Sequence, residues 1–385
     1  MKYPIGIQTF EKIIEGGYQY VDKTDLVYSL VTSGEYYFLS RPRRFGKSLL
    51  TTTLEAYFQG KKDLFKGLAM EKLEQHWVEY PVFHIDFTGA DYTDPNAVNN
   101  RMNIYLTAWE REYGKSDDEI SLGDRFYGVV SRAKQQTGKQ VVILIDEYDK
   151  PLTDTIGLQE IQDKNRAALQ GLYGIMKRAD QHIRFAFLTG VTRYGKLGIF
   201  SAANNPKDIS NNNKYNTICG ISEEELHSYF DDEVQAFADE KDISKEQMYS
   251  LLKNKYDGYH FSEKLVDVYN PFSLLNALQQ RDFVLRWFES GTPTMLIKTL
   301  EEQNADVAKF VDQVEAEESD FNNFQSNESG FLPLVYQSGY LTIKSYDKES
   351  GFYKLGLPNF EVTKGFYSNL ATKLTSLPPN SLGIT

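Results

Sequence analysis

Short apolar runs alternate with longer stretches of helical period through the first half of the chain. Tyr36-Tyr37-Phe38-Leu39, Pro81 to Phe87, Val141-Val142-Ile143-Leu144-Ile145 and Phe185-Ala186-Phe187-Leu188 have the length and composition of strands. Between them, Leu26, Leu30 and Val31, then Leu50, Leu54 and Tyr57/Phe58, then Val98, Met102, Tyr105 and Trp109, then Leu169, Leu172 and Met176 recur at helical spacing. The aromatic members of these stripes read as core rather than as a base-stacking platform. Thr24 or Asp25 stands where the first of these helices needs a cap. The run at 141–145 has no polar alternation, as expected of a strand covered on both faces of a parallel sheet. Strands alternating with helices predict an α/β fold, a parallel sheet flanked by helices. Ligands of such sheets bind beyond the carboxyl ends of the strands.

Beyond residue 218 the pattern changes. Ser222-Glu223-Glu224-Glu225 has the form of a capping box, with Leu226, Tyr229 and Phe230 on the buried side of the helix it opens. A second helix is expected from Ser244 through Leu251 and Leu252, and Asp257-Gly258 offers a hairpin turn. Two helices and a hairpin suggest a winged-helix-like module that either packs against its neighbour or binds DNA. After Trp287 the chain reads as a mixed helical and β appendage, in which Leu341-Thr342-Ile343 pairs with Phe352-Tyr353-Lys354-Leu355 across Asp347–Gly351. No catalytic constellation is visible there. Three units are expected, at 1–218, 219–285 and 286–385.

Chemistry concentrates at the ends of the strands. Ser40-Arg41-Pro42-Arg43-Arg44-Phe45-Gly46-Lys47-Ser48 follows the first run and ends like a phosphate-binding P-loop, although Arg41 replaces its first glycine. Gly46 permits close backbone approach, Lys47 would reach the β/γ-phosphates and the Ser48 hydroxyl would hold Mg²⁺. A helix opening near Gly46 would also aim its free N–H groups at an anion. Taken alone, the stretch is equally a basic turn before a helix. Asp146-Glu147, directly after the 141–145 run, has the form of a Walker B element, with the aspartate for Mg²⁺ and the glutamate for the attacking water. Asp149 reads as fixing the loop that follows. Thr189, at the polar end of the Phe185 run, fits a γ-phosphate sensor, and Arg193 a group that stabilises phosphate charge. The competing reading of both is an ordinary strand-to-loop transition. Asp86 either approaches the metal or caps a turn.

Composition narrows the class. The chain has 385 residues, a formal net charge of −12, one cysteine and five scattered histidines. A single cysteine excludes an intramolecular disulfide and a cysteine-based zinc site. The acidic balance argues against extensive contact with nucleic acid, although 193–214 is locally basic and 301–328 densely acidic. The acidic stretch reads as a solvated face or a connector. No apolar stretch approaches the ~20 residues needed to cross a bilayer, and no secretory signal opens the chain, so the cytoplasm is expected.

Together these motifs resemble the bacterial AAA-ATPase-like family. The resemblance rests on Arg41-Pro42-Arg43-Arg44-Phe45-Gly46-Lys47-Ser48, Tyr20-Val21-Asp22-Lys23-Thr24, Leu144 to Pro151 and Thr189 to Arg193, and continues through Tyr256 to Phe261, Asn270-Pro271-Phe272 and Leu357 to Val362. It covers almost the whole chain and makes Arg41 the family's own form of the loop. It implies ATP and Mg²⁺ as ligands and ATP hydrolysis as the activity. Arg43, Arg44, Phe45, Gly46, Lys47, Ser48 and Leu49 are the expected nucleotide-binding stretch, with Lys47, Glu147, Thr189 and Arg193 catalytic and Ser48 and Asp146 on the metal. Arg43 and Arg44 either touch phosphate or pair with nearby acids. The segment before the loop lines the adenine pocket in such ATPases, so Pro4, Ile5 and Ile7 are either pocket wall or core. Many relatives carry a C-terminal nuclease-like domain, for which no room is expected after Pro378-Pro379. The resemblance thus implies an ATPase that regulates a partner or attached nuclease. The alternatives are a slow nucleotide switch and an interaction module with little hydrolysis.

Overall fold

The computed structural model describes residues 1–194, 206–287, 314–322, 324 and 331–375. Its centre is a five-stranded sheet in the order β2-β3-β4-β1-β5, parallel throughout. The strands are β1 (Tyr36–Ser40), β2 (Val82–Asp86), β3 (Val141–Asp146), β4 (Ile183–Gly190) and the two-residue edge β5 (Lys207–Asp208). Every residue of β3 is buried, so the unbroken apolar run did mark a strand covered on both faces. The helices Lys47–Phe58 and Leu122–Thr137 pack against the sheet. Phe58 meets Phe185 at 4.9 Å, and Trp109, on the helix Ala97–Tyr113, meets Phe83 at 4.7 Å. The aromatic stripes are core.

β4 lies between β1 and β3. Register places Leu39 opposite Thr189, and Asp86 opposite Asp146, so the polar ends of all these strands lie at one edge. The helix Thr24–Ser33 differs in its start from expectation: neither Thr24 nor Asp25 caps it. Lys23 occupies the cap position, and Asp22 accepts the Thr24 N–H and hydroxyl at 2.8 and 2.7 Å.

A second core gathers residues of Ile221–Leu278. It holds three helices, Glu223–Glu240, Lys245–Tyr256 and Pro271–Gln280, with the short antiparallel pair β6 (Ile221–Ser222) and β7 (Val268–Tyr269). Both of the first two helices open with full capping boxes, at Ser222/Glu225 and Ser244/Gln247. Asp257-Gly258 is not a hairpin turn. Asp257 ends a helix, Gly258 takes φ 85°, and the chain then makes a lone bridge between Tyr259 and Val268. Further on, β9 (Thr342–Tyr346) and β10 (Tyr353–Gly356) pair antiparallel, as the sequence suggested, and β8 (Val314–Ala316) adds to β10. Residues of this sheet, among them Ile343 and Leu355, belong to the main core. Most of the acidic 301–328 stretch lies outside the described residues. No helix among those described is long and apolar enough to cross a membrane.

Candidate functional site

Between β1 and the helix Lys47–Phe58 the chain turns through two left-handed residues, Arg44 at φ 71° and Gly46 at φ 97°. A Cβ at Gly46 would meet nothing within 4 Å, so the backbone conformation rather than crowding calls for glycine. Gly46 is also the helix N-cap and brings no side chain to the first turn, which leaves its N–H groups to an incoming acceptor.

Lys47 is buried. Its Nζ donates to Arg41 O at 3.1 Å and Pro42 O at 3.4 Å, and lies 3.5 Å from Glu147 Oε1. The ammonium is therefore held by weak acceptors and one carboxylate, which an anion with several oxygens is able to replace. At the end of β3, Asp146 is 3% exposed. Burial first, then the charge of Glu147, push its carboxyl up to about 6, while a hydrogen bond from Ser48 and the nearby Lys47 pull the other way. Glu147 lines the same cleft in a left-handed conformation, φ 51°, and such backbone strain costs about 1 kcal/mol or more.

The loop after Glu147 is locked to β4. Tyr148 N donates to Thr189 O at 3.0 Å, and Tyr148 Oη donates to Thr192 O at 2.8 Å. Asp149 accepts the N–H groups of Val191 (3.2 Å) and Thr192 (2.7 Å) together with the Thr192 hydroxyl. Asp149 thus fixes this loop. Asp86 accepts the N–H and hydroxyl of Thr88, both at 2.8 Å, and so caps its own turn. Thr189 is fully buried, and its hydroxyl has no hydrogen-bond partner among the described residues.

A cleft of ≈ 360 Å³ is lined by Arg43, Arg44, Gly46, Lys47, Ser48, Leu49 and Glu147, together with Pro4, Ile5 and Ile7, whereas the buried Asp146, hydrogen-bonded to Ser48, and the buried Thr189 are not among its lining residues. A smaller, mainly apolar pocket of ≈ 100 Å³ shares Pro4, Gly46, Leu49, Pro271 and Leu275 with it. Tyr20, Val21, Phe45 and Cys219 line that pocket.

Not every expected residue joins the cleft. The Arg193 guanidinium pairs with Asp208 at 3.0 Å and lines a separate small cavity with Ser40, Arg41 and Pro42. The Phe45 ring stands edge-on to Tyr259 and Phe261, at 4.9 and 5.4 Å, so it serves the core and the apolar pocket rather than the larger cleft. Sequence reasoning in turn gave no role in the cleft to Thr88, Lys150, Phe272 and Leu275, all of which line it. A signal for the last two existed. Asn270 caps the Ser273 N–H and Pro271 occupies the first helical turn, so Asn-Pro announces a helix start. It does not announce that Phe272 faces the loop, where the Arg44 guanidinium lies 4.7 Å above its ring.

A family model described as "Predicted AAA-ATPase" matches residues 4–200. An "uncharacterized protein in vnfD 5'region" of Azotobacter chroococcum mcd 1 is 37% identical over 380 residues, which cover 98% of this chain and 71% of that protein.

Proposed function

Because the chain belongs to the predicted AAA-ATPase family, we propose that its cleft binds ATP with Mg²⁺ and hydrolyses the γ-phosphate bond. The observation that carries this reading is the convergence of Lys47, Ser48 and Glu147 on one cleft, with the buried Asp146 hydrogen-bonded to Ser48, although β4 separates the strands that deliver them. Lys47 and the N–H groups after Gly46 bind the phosphates, with Arg43 and Arg44 at the rim. Ser48 and Asp146 fit Mg²⁺: both offer oxygen, and Asp146 is a buried carboxylate beside a second acid, an arrangement that a cation relieves. Bound Mg²⁺ would neutralise phosphate charge. Glu147 orients the attacking water once Lys47 turns to phosphate, and the Thr189 hydroxyl supplies the sensor contact from β4. Arg193, held by Asp208, serves the back of the loop in this arrangement rather than the phosphates. The apolar pocket beside Leu49 takes the base.

Division into units at 1–218, 219–285 and 286–385 goes with this reading. The three helices and short β6–β7 pair of the middle unit are read as a winged-helix-like module that packs over the cleft, supported by Pro271, Phe272 and Leu275 on its wall. The net charge of −12 favours packing over nucleic-acid contact. Through that module the ATP cycle would regulate a protein partner or nuclease in the cytoplasm. A slow switch is the second reading, favoured by the Lys47–Glu147 pair, which occupies both groups at once.

Steady-state phosphate release from the intact chain and from Glu147→Gln separates the two. Multiple turnovers in the wild type, lost in a variant that still binds Mg-ATP, support hydrolysis. Tight Mg-ATP binding without turnover in the wild type replaces the ATPase with the switch.

A further inference from the structure

The side of the phosphate loop turned away from the cleft is built as specifically as its front. Arg41, in the place of the loop's first glycine, is 2% exposed. Its backbone N–H donates to Gly190 O of β4 at 3.3 Å. Nη1 donates to Ser210 O at 2.7 Å and Ser40 O at 3.0 Å, and Nη2 to Tyr215 O at 3.2 Å. Cζ lies 3.9 Å from the centre of the Phe261 ring. Among the described residues no carboxylate pairs with it at ion-pair distance. Its carbonyl serves the front of the loop, as the acceptor of Lys47 Nζ.

Phe261 is itself held by the C-terminal part of the chain. Its neighbour His260 donates its N–H to the Thr342 hydroxyl at 2.7 Å, accepts that hydroxyl's hydrogen bond at its carbonyl at 3.0 Å, and places Nδ1 2.6 Å from Ile343 O on β9. Two further contacts reach the loop independently. Trp287 Nε1 donates to Arg43 O at 3.3 Å, and Gly339 lies so close to Pro42 that an added Cβ would come within 2.7 Å of it.

We infer that Arg41 is a positioning residue for the phosphate loop: its guanidinium, pinned by Ser210, Tyr215 and Phe261, sets the carbonyl that holds Lys47, so that nucleotide affinity depends on the docked C-terminal sheet. The chemistry is that of a buried arginine fork, whose planar donors fix direction as well as distance. A lysine there keeps the charge and reaches one carbonyl, but neither bridges two nor stacks. A leucine at 261 keeps the core filled and removes the stack. The inference rests on the cleft being a nucleotide site, and the test separates the two claims.

Mg-ATP is titrated calorimetrically into the wild type, Arg41→Lys, Phe261→Leu and the double variant, each checked by thermal melting without nucleotide, with Lys47→Ala as the reference for a broken site. Neither Arg41 nor Phe261 lines the cleft. Each single variant is expected to weaken Mg-ATP binding about tenfold, the size of one lost charge-assisted hydrogen bond. The double variant should lose little more than one single variant, and KM should rise more than kcat falls. Lowered melting temperature with wild-type affinity would make Arg41 an anchor of the fold alone and overturn the inference, as would additive losses. Should Arg41→Lys fail to fold, the affinity of Phe261→Leu decides. A wild type that binds no Mg-ATP removes the nucleotide reading and this one with it.

Discussion

The two halves of the loop from Arg41 to Ser48 are made by opposite means. From Gly46 onward the chain presents short-range features to the cleft: a left-handed glycine, a helix start without a side-chain cap, and Lys47 and Ser48 in its first turn. From Arg41 to Phe45 it is held from behind by long-range contacts to Gly190, Ser210, Tyr215, Tyr259 and Phe261. The front half keeps its backbone donors available for an anion. The back half uses side chains in place of the glycine flexibility that the usual loop starts with. Binding chemistry is thus local here, whereas its rigidity is tertiary.

The contrast is broken most completely by removing a tertiary anchor. Asp149→Ala strands the N–H groups of Val191 and Thr192 in a dry interior and is expected to destabilise the fold by about 3–5 kcal/mol, read by denaturant titration. Changing a front residue should act on binding and leave the fold standing. Lys47→Ala is expected to weaken Mg-ATP binding about a hundredfold, with the apo melting temperature close to wild type. An equal fall in both quantities would erase the distinction between the halves.

A third test concerns the joint between the middle helices and the segment that follows β10. Asp257, whose carbonyl accepts the Asn359 amide at 2.8 Å, has its carboxyl pushed from 3.8 up to about 7, by burial first and then by Asp267. The folded protein therefore binds this proton more tightly than the unfolded chain. Its destabilising effect is complete above about pH 7 and is relieved as pH falls towards the unfolded value. Asp257→Asn should stabilise the fold at pH 8 by roughly 1–2 kcal/mol and flatten its pH dependence between the two values, in unfolding curves across that range. The smallest effect is expected at Arg193, paired with Asp208 at partly exposed side chains. Arg193→Gln should cost at most about 1 kcal/mol and leave Mg-ATP affinity within about twofold. A large loss of turnover at unchanged stability would instead return Arg193 to the phosphates.

Much of the fold is legible in the sequence. The apolar run at 141–145 gave both the strand and the position of Asp146-Glu147 at its tip, because burial on both faces leaves no polar alternation. The capping box at Ser222 was readable because its bonds join residues three apart. Asp257-Gly258 suits either a hairpin turn or a helix end, and only the chain's later path separates them. That Phe272 and Leu275 line the cleft is hidden in the sequence for a related reason: helical period marks a buried face but not the element it faces.

What the sequence by itself determined is the alternation of strands and helices, the Gly46-Lys47-Ser48 and Asp146-Glu147 pairings of residue type with position, and the breaks in pattern after the sheet. Local sterics, hydrogen bonding and burial act over a few residues and leave their mark in order along the chain. Tertiary structure alone decided that β4 lies between β1 and β3, that Arg193 pairs with Asp208, and that Arg41 turns away from the cleft onto Phe261. An arginine in a basic loop has the same local propensities whether it meets phosphate or a ring. Which it meets is set by the carbonyls and the aromatic face that the rest of the fold brings within its reach.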